Sequence, residues 1–207
     1  MRVGIAGYGV VGKTRHRSIE SNTSYQVTAI SESSEKARKS IPEGIDIYND
    51  YKTLIASAEL DVIFISLPNQ FAAEAACLSL QNGLHVFCEK PPARTHAELL
   101  EVEKQSLKFP ELKLMYGFNH RFHLSVEEAK LLIDSNSLGR LINMKGVYGK
   151  SQMISFNQTD WRTNREASGG GILLDQGIHM LDLMRYLSGE NFTDVFSIID
   201  NAFWNFD

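Results

Sequence analysis

The sequence lacks the features that mark membrane-spanning and secreted proteins. No run approaches the roughly 18 consecutive apolar residues that a membrane-spanning helix requires, and glycines interrupt the apolar N-terminus with no signal-peptide cleavage site after it. Cysteine is scarce: Cys77 and Cys88 stand alone among 207 residues, without CxxC spacing or the density of a disulfide framework. We therefore expect a cytoplasmic protein whose two thiols are reduced and buried.

An excess of either charge is also missing. The chain has 21 Lys and Arg against 25 Asp and Glu, a formal net charge of −4, and its basic residues are scattered among acidic ones. Nucleic-acid-binding proteins usually carry a basic patch, and metal sites carry ligands at a recognisable spacing. The sequence has neither pattern, so we expect a small-molecule partner, with no nucleic acid, no membrane and no metal.

Short β-branched runs alternate with longer amphipathic stretches through residues 1–118, a pattern typical of βαβ units. Six runs are predicted as strands: residues 3–6, 26–31, 45–48, 62–65, 84–88 and 112–116. The stretches predicted as helices are residues 11–20, 35–40, 51–56, 71–81 and 97–107. Ser33 or Ser34, Asp50 and Thr95 precede three of these helices as N-caps. An α/β domain with a doubly wound parallel sheet is therefore predicted.

The pattern changes after residue 118. Residues 119–207 combine predicted helices at 125–134 and 174–187 with strand-like runs at 141–148 and 195–206, which predicts a second, mixed α+β domain. The last run is rich in Phe, Ile and Trp, and an apolar strand edge of this kind usually needs a partner. We therefore expect a partial domain that is truncated at its C-terminus.

A glycine-rich motif lies between the first predicted strand and the first predicted helix. It reads Gly7-Tyr8-Gly9-Val10-Val11-Gly12, and this GxGxxG in a βαβ unit predicts a dinucleotide site. Gly7 permits the tight turn, Gly9 lets the backbone approach a pyrophosphate, and Gly12 allows close packing of helix on strand. A merely flexible glycine loop is the alternative, and the strand and helix on either side disfavour it.

An acidic residue follows the second predicted strand at the distance that ribose recognition requires. Glu32 stands 20 residues after Gly12, where its carboxylate can bind the adenosine ribose hydroxyls and repel a 2′-phosphate. Ser31 can accept such a phosphate, with Lys36 or Arg38 nearby to neutralise it. The sequence thus favours NAD and leaves NADP possible; the other interpretation of Glu32 is a solvated acid ahead of a helix.

Two groups of residues have the chemistry for proton transfer. Glu89-Lys90-Pro91 ends the fifth predicted strand, and a partly desolvated lysine beside a cofactor can have a lowered pKa. Asp175 and His179 are four apart on a predicted helix, so a carboxylate can orient an imidazole on one face. A surface lysine, and a helix-capping Asp with a core histidine, are the alternatives. A zinc pair is a third, but no further ligands support it.

The ordered set of these motifs resembles the Gfo/Idh/MocA family of oxidoreductases, named for glucose-fructose oxidoreductase and inositol dehydrogenase. The resemblance covers the whole chain. It rests on the Gly7 to Gly12 fingerprint and on Leu67-Pro68-Asn69, Glu89-Lys90-Pro91, Asn119-His120-Arg121-Phe122, Trp161-Arg162 and Gly169-Gly170-Gly171 leading to Asp175 and His179.

The resemblance implies roles for particular residues. Lys90, Asp175 and His179 resemble the family's catalytic trio. The implied cofactor contacts, besides the fingerprint, are Ser31, Glu32, Ser66, Leu67, Pro68, Asn69, Glu89 and Lys90. The implied substrate contacts are Asn119, Arg121, Trp161, Arg162 and Arg165. The second domain is then expected to carry an open, mainly antiparallel sheet that makes the subunit contacts of a homodimer or homotetramer.

The sequence departs from the family at two cofactor positions. Ala72 stands where the family often has a histidine, three residues after Asn69. Ser31 stands in place of the commoner ribose-binding aspartate. The first difference removes one implied cofactor contact, and the second weakens the implied cofactor preference.

The function expected from these observations is an NAD(P)-dependent dehydrogenase that exchanges hydride with a secondary alcohol or ketone of a sugar, inositol or nucleotide-sugar. His179 is the expected base, and the reverse assignment with Lys90 as base is open because their titrations can be coupled. Arg162 and Arg165 can hold a phosphate, which suits a nucleotide-sugar, or belong to a surface loop. The alternative functions are a non-catalytic dinucleotide-binding sensor or regulatory protein, a dehydrogenase acting on a small keto acid or amino acid, and a biliverdin-reductase-like relative of the same architecture.

Overall fold

The chain divides into two compact units, Met1–Gly117 and Phe118–Asp207. A computed structural model describes residues 1–149 and 161–200. Within those ranges no helix is both long enough and apolar enough to span a membrane.

Six parallel strands form the centre of the first unit. They are β1 (Arg2–Ala6), β2 (Gln26–Ser31), β3 (Asp46–Tyr48), β4 (Val62–Ile65), β5 (His85–Cys88) and β6 (Leu114–Tyr116). Their order across the sheet is β3-β2-β1-β4-β5-β6, and each strand is parallel to its neighbours. The strand order reverses at β1, which is where doubly wound sheets bind ligands. The predicted parallel α/β sheet is confirmed.

Five helices connect these strands, and three begin at the predicted caps. They are α1 (Val10–Glu20), α2 (Glu35–Arg38), α3 (Tyr51–Ser57), α4 (Asn69–Gln81) and α5 (His96–Lys108). The side chains of Ser34, Asp50 and Thr95 each accept a hydrogen bond from the backbone N–H three residues further on. A cap of this kind stabilises a helix by about 1 kcal/mol, so the sequence fixes where these helices begin.

Apolar clusters cover the sheet on both sides. One cluster joins Val3, Ile5 and Ile30 of the strands to Ile19 of α1. The other joins strand residues to the helices that follow them, and its members include Ile63, Ile65, Leu54, Leu80 and Val102. Burial of each such side chain contributes about 1.5–3 kcal/mol. The sheet is therefore a rigid support for the loops at its edges.

The two cysteines are free thiols in the first unit. Cys88 ends β5 and is fully buried, whereas Cys77 on α4 is only half-buried, so the prediction of burial is confirmed for Cys88 alone. Burial raises the pKa of both thiols, and nearby carboxylates add to the effect. Because the thiolate is the reactive form, neither residue is suited to nucleophilic chemistry.

The regular secondary structure in the described part of the second unit is helical. It contains α6 (Leu124–Asp134), α7 (Arg165–Ser168) and α8 (Ile178–Ser188), with 3₁₀ turns at Asn119–Phe122 and Trp161–Thr163 and a π-helical turn at Leu173–Gly177. The prediction of a strand over residues 141–148 is wrong for this structure, and residues 195–200 are likewise not a strand. A strand forms only when its backbone groups pair with a neighbour, and neither segment has one among the described residues. The rest of the last predicted strand, 201–206, lies outside the described residues.

Candidate functional site

The glycine motif is a turn that only glycine can make at two of its positions. Gly7 has a φ of +90°, and a Cβ placed on it would lie 2.5 Å from the carbonyl oxygen of Ser66. A Cβ on Gly12 would lie 2.1 Å from the carbonyl oxygen of Gly7. These contacts are shorter than any real Cβ contact, so β1, α1 and the segment after β4 approach each other closely because side chains are missing there.

Gly9 differs from the other two glycines because the space that its side chain would occupy is open. A Cβ on Gly9 would meet no atom within 4 Å, and Gly9 directly precedes the first turn of α1. The unpaired N–H groups of a helix N-terminus attract phosphate. An open cradle at a helix N-terminus therefore fits the pyrophosphate of a dinucleotide.

The carboxylate of Glu32 is fixed against this loop. One oxygen accepts a hydrogen bond from the backbone N–H of Tyr8 at 2.9 Å, and the other accepts from the N–H of Ser34 at 2.8 Å. Glu32 is therefore not merely a solvated acid ahead of a helix. Ser31, by contrast, is only 2% exposed, because it ends β2 inside the sheet. Its burial disfavours the predicted contact between Ser31 and a 2′-phosphate.

The side chain of Tyr8 is part of a buried network beneath the loop. Its hydroxyl lies 2.7 Å from Nδ1 of His16, and Nε2 of His16 lies 3.3 Å from a carboxylate oxygen of Glu20. Burial raises the pKa of Tyr8, and the charge of Glu20 raises it further. Tyr8 thus anchors the loop on α1, while its backbone N–H holds Glu32. The only signal of this network in the sequence is a histidine on the inner face of α1, and that signal alone does not distinguish His16 from any other buried histidine.

The segment after β4 supplies further polar groups at the same edge of the sheet. Gly7, Ser66 and Glu89 directly follow β1, β4 and β5, which are neighbours in the sheet and end in register. The buried Oγ of Ser66 hydrogen-bonds to no group among the described residues. Asn69 is 8% exposed at the start of α4, and Ala72 is buried one turn later. An unsatisfied hydroxyl next to the open cradle fits a bound polar ligand.

Glu89 is held by an ion pair that the sequence did not indicate. Nε of Arg15 on α1 lies 2.6 Å from a carboxylate oxygen of Glu89, and both side chains are mostly buried. The guanidinium also lies over the ring of Phe87, 4.9 Å from its centroid. Gly117 packs tightly on Glu89, because a Cβ there would approach its carboxylate to 2.9 Å. Lys90 follows, half-buried, with a cis peptide bond to Pro91.

Asp175 and His179 lie in the second unit, but not on one regular α-helix as predicted. Asp175 is in the π-helical turn and accepts a hydrogen bond from Nε2 of Gln176 at 2.9 Å, whereas His179 is in α8 and 4% exposed. A π turn has more residues per turn than an α-helix. The four-residue spacing therefore does not by itself place both side chains on one face.

Aromatic rings surround His179. The ring of His120 is stacked on it, with centroids 4.0 Å apart and planes 18° apart. Phe118 approaches edge-on at 6.2 Å, and Tyr148 is nearly parallel at 6.2 Å. His120 belongs to the motif Asn119-His120-Arg121-Phe122, for which the sequence indicates no aromatic contact. Its stacking partner is far away in sequence, so no local pattern could reveal the contact.

Arg121 has a charged partner within its own unit. Its Nε donates to Oδ2 of Asp182 at 2.8 Å, and a second nitrogen pairs with the other carboxylate oxygen. The guanidinium also lies 5.0 Å from the centroid of Tyr186. Hydrogen bonding to Asp182 raises the pKa of Arg121. This bidentate pair occupies two of the nitrogens of the guanidinium, and the substrate contact of Arg121 stays a prediction.

The remaining predicted substrate residues lie on exposed turns of the second unit. Trp161 and Arg162 form a 3₁₀ turn in which the guanidinium stacks over the indole, 4.4 Å from the ring centroid. Arg165 begins α7, which Asn164 caps and Gly169 ends in the left-handed conformation. Asn119 begins the turn that carries His120. Among the described residues no group of three His, Cys, Asp or Glu is arranged to hold a metal ion.

Family models match both units. Residues 1–116 match the Gfo/Idh/MocA model described as an oxidoreductase family with an NAD-binding Rossmann fold, and residues 126–207 match the model of the Gfo/Idh/MocA C-terminal domain.

Individual relatives are dehydrogenases by name. D-glucoside 3-dehydrogenase of Escherichia coli is 30% identical over 200 residues, covering 91% of this chain and 54% of that protein. Levoglucosan dehydrogenase of Pseudarthrobacter phenanthrenivorans is 32% identical, covering 69% of this chain and 36% of that protein. The solved structure of myo-inositol 2-dehydrogenase from Lactobacillus plantarum is 31% identical with a TM-score of 0.82, covering 91% of this chain and 56% of that one. The chain thus spans about half the length of relatives that it matches almost throughout.

Proposed function

Since the chain belongs to the Gfo/Idh/MocA family of oxidoreductases, we propose that it acts as a dehydrogenase on a secondary alcohol of a sugar or cyclic polyol. NAD, when bound, supplies the nicotinamide C4 that exchanges hydride with the alcohol carbon. The observation that carries the proposal is the open cradle at Gly9, which is bordered by the fixed carboxylate of Glu32 and lies at the sheet edge from which Lys90 extends. The names of the relatives support sugars and inositols as the substrate class.

The first unit supplies the residues that hold the dinucleotide in this proposal. Gly9 and the start of α1 receive the pyrophosphate, and Glu32 receives the ribose hydroxyls. Ser66, with its unsatisfied Oγ, and Asn69 bind further polar groups of the cofactor. Because Glu32 is negative and Ser31 is buried, the site favours NAD over NADP.

Three side chains have separate roles in the proton transfer that we propose. The imidazole of His179 takes the hydroxyl proton as the carbonyl forms, and the carboxylate of Asp175 stabilises the resulting imidazolium. The ammonium group of Lys90 donates a hydrogen bond to the reacting oxygen. The Arg15 pair holds Glu89 and thereby fixes the backbone that carries Lys90.

The second unit supplies substrate contacts and subunit contacts. We assign Trp161, Arg162, Arg165 and Asn119 to the substrate side. The stacking of Arg162 on Trp161 favours a flat platform for a sugar ring over a fork for phosphate, so a simple sugar or polyol is preferred to a nucleotide-sugar. Apolar side chains at Ile142, Val147 and in 195–199 are more than four-fifths exposed. These segments are not strands in this structure. We propose that they pair when copies associate and then form an open, mainly antiparallel sheet.

The proposal is tested by following absorbance of the reduced nicotinamide while polyols, aldoses and glucosides are offered with NAD or NADP. We expect NAD reduction with at least one polyol or sugar, and a rate at least about 100-fold lower in Lys90→Ala, with NAD affinity within about threefold of wild type. Unchanged turnover in Lys90→Ala contradicts the assignment of Lys90. NAD binding without turnover on any substrate instead favours the sensor.

A further inference from the structure

The contact between His120 and His179 is the closest pairing of aromatic rings in the described residues. His120 lies on the 3₁₀ turn Asn119–Phe122 and His179 at the second position of α8, and their rings are 4.0 Å apart and nearly parallel. One face of His179 is therefore covered by a second imidazole. Because His179 is only 4% exposed, water has little access to its remaining surface.

A stacked neighbour restricts what the His179 ring can do. A ring with a flat partner at van der Waals distance cannot rotate about its Cβ–Cγ bond without losing that contact. Phe118 meets the same ring edge-on, with planes 85° apart, which further limits rotation. The direction in which each nitrogen of His179 points is thus set by packing.

The stack also couples the charges of the two imidazoles. A neutral ring face stabilises a cation above it, whereas two positive rings at this distance repel each other. One proton on the pair is therefore favourable, and a second is not. The protons of two such groups leave in steps that belong to the pair.

Other charged groups around the stack are already compensated or lie at its edge. From the same turn, Arg121 is paired with Asp182 of α8. From α6, Lys130 reaches the ring of Tyr186 rather than the stack. His123 meets His120 edge-on at 5.2 Å and is exposed, Tyr148 is stacked on His120 at 5.6 Å, and Asp175 is in the preceding π-helical turn.

We propose that His120 is a positioning residue for His179: its ring holds the imidazole of His179 in one orientation and limits the pair to a single proton at working pH. The proposal rests on the proposed function, in which His179 takes the proton from the alcohol. His120 therefore keeps His179 neutral and aimed before the reaction, and its neutral ring face stabilises the imidazolium that forms.

Two substitutions separate the two effects. His120→Phe keeps a stacked ring but cannot take a proton, and His120→Ala removes the ring. His123→Phe is the matched control, because His123 touches His120 and not His179. The measurements, made on the full chain, are the proton titration of His179 by histidine ¹⁵N–¹H NMR and the pH profile of turnover.

In the wild type we expect His179 to titrate with a Hill coefficient below 1. In His120→Phe we expect a Hill coefficient of about 1 and a titration midpoint about half a pH unit or more above that of the wild type. His120→Ala loses about tenfold or more in kcat with little change in KM, because the ring is no longer held. His120→Phe keeps kcat within about threefold at its own optimum. His123→Phe leaves both measurements unchanged.

Identical titration curves of His179 in the wild type and His120→Phe overturn the coupling, and wild-type kcat in His120→Ala overturns the positioning role. The NMR titration needs no turnover, so it is independent of the proposed reaction. Wild-type turnover in His179→Ala contradicts the proposed function itself, whatever the titration shows.

Discussion

At the residue scale, the contacts of Glu32 lead to a specific prediction about the preference for NAD over NADP. Its carboxylate binds two backbone N–H groups and has lone pairs left for ribose hydroxyls. Hydrogen bonds to a charged group contribute about 1.5–3 kcal/mol, and tenfold in affinity corresponds to about 1.4 kcal/mol. We expect Glu32→Ala to weaken NAD binding by about tenfold or more, while NADP binding falls less because repulsion of the 2′-phosphate is removed.

Calorimetric titration of both cofactors measures this change. Glu35→Ala is the control, because Glu35 is an exposed acid in the first turn of α2, three residues further along the chain. An unchanged ratio of NAD to NADP affinity in Glu32→Ala would show that this carboxylate does not select the cofactor.

Gly9 and Gly12 give contrasting predictions at the same scale, because a methyl group would meet open space at Gly9 and backbone at Gly12. Gly9 has a φ of −72°, which alanine adopts readily, and open space beside it. Gly9→Ala should therefore keep its unfolding free energy within about 0.5 kcal/mol and lose dinucleotide affinity, because the methyl group occupies the cradle. Gly12→Ala should lose several kcal/mol, since its methyl group meets backbone.

Denaturant unfolding and NAD titration distinguish the two variants. Wild-type NAD affinity in a folded Gly9→Ala protein would mean that the space above Gly9 is not where the cofactor binds. Wild-type stability in Gly12→Ala would mean that α1 can move away from β1 at little cost.

At the scale of elements, the Arg15–Glu89 ion pair joins α1 to the end of β5. Arg15→Met keeps an unbranched chain over Phe87 but leaves Glu89, 18% exposed, without its cation. We expect the free energy of unfolding to fall by about 1–2 kcal/mol and kcat to fall by about tenfold, because Lys90 is positioned less well. Arg17→Met is the control, since Arg17 is on the exposed side of the same helix.

Comparison of stability with kcat tests the positioning role. A loss of stability with no change in kcat would limit the pair to folding. Rescue by Arg15→Lys should be incomplete, because an ammonium group lacks the flat face that lies over Phe87.

The elements that the sequence predicted are those whose signals are local. Alternating apolar runs and the caps Ser34, Asp50 and Thr95 act within a few residues, and the structure has those strands and helices. The contacts that it missed are long-range: Arg15 meets Glu89 74 residues away, and Arg121 meets Asp182 61 residues away. Charged residues are usually exposed, so nothing in the sequence separates these pairs from their solvated neighbours.

The type of helix could not be predicted from the sequence at the π-helical turn Leu173–Gly177. A π turn shifts hydrogen bonds by one residue without changing which residues are apolar, so the pattern around Asp175 predicted an ordinary α-helix. Over residues 141–148 the sequence predicted a strand that the structure does not have. Its alternation is real, but pairing depends on another segment, which composition cannot supply.

At the scale of the whole molecule, the proposed reaction requires side chains from both units to act on one alcohol. Lys90 belongs to the first unit, and Asp175 and His179 belong to the second. Groups that stabilise the same transition state have strongly non-additive effects when removed. Each of Lys90→Ala and His179→Ala should lower kcat by roughly 10²–10⁴-fold, and the double variant should lose little more than the worse single variant.

A double-mutant cycle on kcat, with NAD affinity measured for all four proteins, tests this cooperation. Similar NAD affinities in the four proteins ensure that the cycle reports on chemistry rather than on cofactor binding. Arg17→Met, combined with each single variant, is the additive control, because Arg17 is exposed and its guanidinium donates a hydrogen bond to Thr14 of the same helix. If the losses in the Lys90 and His179 double variant simply multiply, the ammonium and the imidazole act in separate steps. The proposal that both groups act on the same alcohol in one step would then be wrong.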